Sequence, residues 1–336
     1  MAKASRSSMS YYFFRLFFPL MFILWFFLFA LAKSSDTDKI KSKVTKLRGS
    51  TDISSSSSSS SINKENDNKV KKSTNDKYKD TRNIKIEPMN HAVIVAGHAV
   101  MKLNKLSVAD VQDSAWYLLS YQQDQGFPGI ISSHVQQGIS VAKSDPRSIL
   151  LFSGGQTRKD VGPTSEAASY YYLAQEKKWI NPVISRVFLE EFARDSYENL
   201  LFSLCRFREV VGRYPEKVTV IGFGFKKKRF TDLHRRAIAF PESNFTYIGL
   251  RPQHKNFDHN KAQDGEKAAV NGFAQDMYAC STPALAKKRT SRNPFSRTIP
   301  YPLACPEMKE LLSWCGPELF DEIKVPWHKN VTFAMA

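Results

Sequence analysis

The chain has 336 residues, enough for one large domain or two small ones, and carries a formal net charge of +17. That charge is spread over a tail and mixed with acids, with no zinc-finger, RRM or KH signature, so no nucleic-acid partner is expected. The four cysteines (Cys205, Cys280, Cys305, Cys315) lack C-x-x-C spacing, which argues against zinc, and no metal ligands are assigned.

Residues 1–10 are a short tail containing Lys3 and Arg6. An apolar run follows over 11–32, interrupted only by Arg15 near its start. A helix of this length nearly crosses a bilayer, with Arg15 snorkelling to the headgroups. Two readings stand: an uncleaved signal anchor, or a signal peptide cut after Ala30-Leu31-Ala32. The length and Phe content favour the anchor. The expectation is a single-pass endomembrane protein (ER or Golgi) with its C-terminal domain in the lumen. A mitochondrial presequence is the weaker reading, because the run is not an amphipathic Arg/Ser helix. Residues 33–88, with an unbroken serine run from Ser54 to Ser61, bury too little apolar surface to fold and read as a disordered linker.

The folded domain is expected over 89–251. Its first strand is His91 to Gly97, followed by a helix over Asp110–Gln123 with Val111, Ala115, Leu118 and Leu119 at helical spacing. Pro128 and Gly129 break the pattern, and Ile130–Ala142 reads as a second helix. Ile149–Phe152 is a wholly apolar run, the signature of a strand buried on both faces. Ser153-Gly154-Gly155 ends it, and Thr164-Ser165-Glu166 opens a helix with hydroxyls where a cap belongs. Further on come a short strand at Val187–Leu189, a helix from Asp195 to about Arg213, and a strand at Lys217–Gly222. A helix over Lys226–Ala239 and a strand over Phe245–Gly249 complete the series. Alternation of this kind predicts an α/β fold with a three-layer parallel sheet.

Residues 252–336 are expected to form an extension packed on that domain, with helices over Gly265–Cys280 and Glu307–Cys315. Cys205 reads as a buried thiol, and Cys305 with Cys315 as a candidate disulfide in a luminal domain. Of two glycosylation sequons, Asn244-Phe-Thr falls in an expected strand, leaving Asn330-Val-Thr as the accessible one.

Candidate site residues gather at the C-terminal ends of the expected strands: Gly97 and His98; Ser153, Gly154, Gly155 and Glu166; Glu191, Asp195 and Asn199; Gly224, Lys226 and Arg229. A parallel sheet brings these ends to one edge. Glycines, helix starts and Lys/Arg suit an anionic group, while carboxylates and Asn suit hydroxyl or amine donors, or a metal held through oxygen. The absence of G-x-G-x-x-G after a strand and of a P-loop argues against NAD, FAD and ATPase chemistry, and no cofactor or protein partner is identified.

Four stretches in order resemble the domain of unknown function 218 family, with its SanA-like and YdcF-like bacterial members. They are HAVIVAG; LLFSGG with the TSEA helix start; EEFARDSYEN; and VTVIGFGFKKKRF. The resemblance covers roughly Asn90 to Leu250. It implies a Rossmann-like fold behind one N-terminal membrane segment, with site roles for Gly97, Ser153, Gly154, Gly155, Glu166, Glu191, Asn199 and Arg229. Two departures stand out: Lys226 where the family often has histidine, and Ser196 for the usual threonine. The expected function is binding of a small anionic, phosphate- or nucleotide-containing ligand, as a transferase or phosphoester hydrolase using Glu166 or Glu191. The alternative is a non-catalytic binding or scaffold protein of the secretory pathway.

Overall fold

The computed structural model describes residues 88–328. The expected anchor or signal peptide, the linker but for Pro88, and the Asn330 sequon lie outside the described residues. Among those described, no helix is long and apolar enough to cross a membrane.

Five parallel strands build the sheet. In chain order they are β1 (His91–Ala96), β4 (Ser148–Ser153), β5 (Val187–Glu190), β6 (Lys217–Phe223) and β7 (Phe245–Leu250). A two-residue antiparallel ladder of β2 (Val100–Met101) and β3 (Trp116–Tyr117) lies between the first two. The spatial order is β5-β4-β1-β6-β7, so the chain winds one way from β1 and then restarts on the other side with β6. That is the Rossmann-like arrangement, and it opens a crevice where β1 and β6 send their ends apart.

Successive strand residues point to opposite faces, and both faces are covered. Ala92, Ile94, Ile149, Leu151, Val218 and Val220 face one core, shared with helix α3 (Ser196–Val211) and the C-terminal extension. Val93, Val95, Leu150, Phe152 and Ile221 face the other, under α1 (Phe127–Ser144) and α2 (Glu166–Glu176). All six residues of β4 are buried, which is why its middle four, Ile149–Phe152, read as an unbroken apolar run.

Several elements differ from expectation, each for a visible reason. The segment Asp110–Gln123 is not a helix. Val111 and Leu119, counted as an apolar stripe, are 72% and 42% exposed, so no core rewards that face. Short 3-10 turns and the β2–β3 ladder take its place. They are pinned by Trp116 Nε1 donating to Ala109 O at 2.6 Å and by Asp124 N donating to Asp113 Oδ2 at 2.6 Å. Pro128, read as a breaker, sits in the first turn of α1, where its missing N–H costs nothing.

The expected Lys226–Ala239 helix is a chain of three pieces: a 3-10 turn (Gly224–Lys226), a π turn (Arg229–His234) and the short α4 (Arg235–Ala237). Asn244 lies exposed in a 3-10 turn (Glu242–Asn244) before β7, not within the strand, so its sequon is accessible.

The extension holds α5 (His259–Gln275), α6 (Pro283–Ser291), α7 (Tyr301–Ala304) and α8 (Lys309–Ser313). The helix expected from Gly265 starts earlier because Asp258 caps it, accepting from Lys261 N at 2.9 Å, and it stops before Cys280. The stretch Glu307–Cys315 keeps only the turn Pro306–Met308 and α8. The expected cysteine pairing is corrected. Cys205 is bonded to Cys305, and Cys280 to Cys315. Cys205 is buried, as a thiol would be, but it serves to tie α3 to the extension.

Candidate functional site

The C-terminal edge of the sheet opens into a cavity of about 630 Å³. Three separate parts of the chain wall it. The sheet edge supplies Gly97, His98, Asn199 and Lys226; the segment through β2 and β3 supplies Tyr117, Tyr121 and Gln122; α5 and α6 supply Lys261, Glu266, Phe273 and Lys288, with Arg292 just beyond. The extension therefore caps the crevice.

Glu166, at the first position of α2, lines the cavity at the sheet edge. Ser165 Oγ caps that helix, accepting from Ala168 N at 2.9 Å. Thr157 Oγ1 donates to Glu166 Oε1 at 2.9 Å. Burial raises the carboxyl's pKa, against Arg292 and the Thr157 bond. Gly97 and Gly154 exist to let this side chain in. A Cβ on either would stand 2.7 Å from Glu166 Oε2, well inside contact distance. Gly155 does the same for the next loop, where a Cβ would meet Ala193 O at 2.7 Å.

Lys226 faces Glu166 from the turn after β6. Its Nζ lies 3.2 Å from His98 Nδ1 and over the Phe223 ring, 5.0 Å from the centroid. Burial, reinforced by Arg229, brings the ammonium's pKa down to about 7. His98 is stacked on Phe127 at 5.3 Å, and burial plus Lys226 hold it well below the usual imidazole range. The ring is therefore a neutral acceptor for Lys226. Arg229 pairs with Glu266 of α5 at 2.8 Å, with both side chains almost fully buried. The π turn is what points Arg229 inward.

Of the residues singled out in the sequence, the structure places Gly97, His98, Glu166, Asp195, Asn199, Lys226 and Arg229 on the cavity wall. Ser153, Gly154, Gly155, Glu191 and Gly224 are not on it. Ser153 is fully buried and donates to Glu190 Oε2 at 2.7 Å and Asn199 Oδ1 at 2.9 Å. Glu191 accepts from Ser165 Oγ at 2.7 Å, so its carboxylate braces the start of α2. Asp195 caps α3 and pairs with Arg289 at 2.8 Å, which holds it below the usual carboxylate range against the upward push of burial.

Sequence reading missed Glu190, Glu266, Lys288 and Arg292. The last three lie in the extension, where no strand-end rule points. Glu190 was one residue away from the chosen Glu191, and the register of β5 decides between them. Among the described residues no group of His, Cys, Asp or Glu is arranged to hold a metal ion.

No family model matches the chain, and no solved structure matches it. It is similar to the "Uncharacterized protein YOR238W" of Saccharomyces cerevisiae, at 36% identity over 198 residues, covering 45% of this chain and 64% of that protein. The chain thus spans somewhat under two thirds of the length of this curated relative.

Proposed function

We propose that this cavity binds a small phosphate-bearing anion of nucleotide size. The observation that carries the reading is the charge on its wall. Lys226, Lys261, Lys288 and Arg292 all line it, and among the described residues none of them is ion-paired with a carboxylate. Burial, with Arg292 and Arg229, depresses Lys288 as it does Lys226. Cations held at that cost are relieved by an incoming anion. The cavity is also lined by Phe225 and Phe257, whose rings are stacked 23° apart and offer an apolar face suited to a nucleobase. The four stretches resembling the domain of unknown function 218 family support a ligand at the same edge.

The chemistry we assign is phosphoryl or group transfer, or phosphoester hydrolysis, with Glu166 beside the ligand and Lys226 as its charge partner. The non-catalytic alternative is favoured by one observation: Glu166 is packed tightly against Gly97 and Gly154, and its Oε1 already accepts a hydrogen bond from Thr157. We further propose that residues 11–32 anchor the chain in an endomembrane with the domain in the lumen. Two disulfides and an exposed Asn244 sequon support that placement.

One preparation tests both. The full chain, expressed in a eukaryotic secretory host, is expected in the membrane fraction with glycan on Asn244; a soluble, unglycosylated product overturns the placement. Calorimetry then follows binding of pyrophosphate and ADP. Removal of one charge-assisted contact, by Arg292→Ala, is expected to weaken binding about tenfold or more. Affinity should also fall as pH rises through about 7, where Lys226 loses its charge. Lys226→Arg should abolish that fall, since its guanidinium stays charged. Absence of binding by either anion, or equal binding by Arg292→Ala, sinks the reading.

A further inference from the structure

Ser196 and His234 make a contact that anion binding does not call for. Ser196 opens α3 and lines the cavity, and its Oγ lies 2.8 Å from His234 Nε2. His234 ends the π turn and is completely buried, edge-on to Phe273 at 4.6 Å, Phe230 at 5.2 Å and Tyr197 at 6.0 Å. Its Nδ1 has no hydrogen-bond partner. A ring in that cage is neutral at rest, and a neutral imidazole with Nδ1 protonated presents Nε2 as an acceptor to the hydroxyl.

Geometry supplies the rest of a nucleophilic site. The backbone N–H groups of Ser196 and Tyr197 find no acceptor among the described residues, because they belong to the first turn of α3 and Asp195 Oδ1 takes only Glu198 N, at 2.9 Å. They stand at the same end as the hydroxyl, where a developing negative charge needs donors. Phe273 and Leu285 line the cavity as apolar wall and limit water around the pair.

We propose that Ser196 is a nucleophile activated by His234, acting on a phosphoester. The identity of that electrophile rests on the anionic-ligand reading above; the dyad itself does not. The Ser196 Oγ proton passes to His234 Nε2 as the Oγ–P bond forms. The P–O bond to the leaving group breaks, and the leaving oxygen takes the proton from Nε2. Water then attacks the phosphoserine, His234 Nε2 accepts its proton, and as the Oγ–P bond breaks the Ser196 oxygen takes that proton back from Nε2, restoring the hydroxyl and the neutral ring as phosphate departs. The net change is phosphoester plus water giving alcohol plus phosphate.

The test uses diisopropyl fluorophosphate on the full chain, with intact-mass and peptide-mapping readouts. The probe is uncharged, so it needs no anion subsite. The expected result is a single adduct on Ser196, absent in Ser196→Ala and formed at least about 100-fold more slowly in a folded His234→Gln variant. A purely structural Ser–His contact gives no adduct. Wild-type protein that stays unlabelled at Ser196 overturns the proposal whatever the variants do, as does labelling at the same rate in folded His234→Gln. Pyrophosphate binding without labelling overturns the dyad alone. Labelling without anion binding upholds the dyad and removes the phosphoester as its substrate.

Discussion

Glu190 sits at the last position of β5 with no exposed surface. Four donors reach it: Ser153 Oγ at 2.7 Å, Phe192 N at 2.7 Å, Tyr301 OH at 3.0 Å and Ala193 N at 3.2 Å. Those bonds favour the ionised form, yet burial wins and pushes the carboxyl up to about 7. The unfolded carboxyl ionises near 4.5. Between these two values the native state holds a proton that the unfolded state lacks, so stability falls as pH rises through that window. An excursion of this size corresponds to on the order of 3 kcal/mol. Urea midpoints between pH 4.5 and 7.5 should therefore drop more steeply for wild type than for Glu190→Gln, and parallel slopes would refute the assignment. The adjacent pair Glu190-Glu191 shows the limit of sequence at this scale. Both are plausible strand-end acids, and only the pairing of Ser153 with Glu190 across β4 and β5 turns one inward.

Elements were legible where burial is symmetric. Strands buried on both faces must be apolar throughout, so β1, β4 and β6 announce themselves, and helices α2 and α3 carry their caps in Ser165 and Asp195. What misled was spacing without burial at Asp110–Gln123, and the widened turn at Arg229–His234, which no local pattern encodes. Close packing of α1 on the sheet was likewise hidden. Gly138 of α1 lies so near β1 that a Cβ would overlap Val95 Cγ2 and stand 3.1 Å from Leu150 Cδ1. Val95 is β-branched and fully buried, so it has nowhere to turn. Overpacking costs roughly 1–3 kcal/mol, whereas Ala for Gly within a helix returns roughly 0.5–1 kcal/mol. Gly138→Ala should thus destabilise by about 1 to 2 kcal/mol in chemical denaturation. A stabilised variant would show that α1 lifts off freely.

For the whole molecule, the extension matters more than its irregular sequence suggests. Cys205–Cys305 ties it to α3 across a sequence separation of 100, while Arg229–Glu266 and Arg289–Asp195 pin α5 and α6 over the crevice. Closing so long a loop limits the unfolded chain strongly. The double variant Cys205→Ser with Cys305→Ser should lose about 2–5 kcal/mol, read as a lower melting temperature under non-reducing conditions. An unchanged melting temperature would mean that packing of Tyr301 and Met308, together with the two ion pairs, secures the extension without the disulfide. Disulfide pairing was beyond sequence reasoning because it depends on α8 lying between Cys305 and Cys315, and on α3 packing against α7.

The three-part wall of the cavity also fixes an order of events during synthesis. Gly97, His98 and Glu166 leave the ribosome with the early strands, whereas Lys261, Lys288 and Arg292 arrive only with the extension. A nascent chain can therefore complete much of its sheet while its crevice still faces water, with Glu166 lacking Arg292 and Arg229 lacking Glu266. On the proposed reading, ligand rewards only the finished and oxidised chain. Its binding energy would then act as a proofreading signal, holding molecules whose last quarter has docked and leaving the rest to unfold.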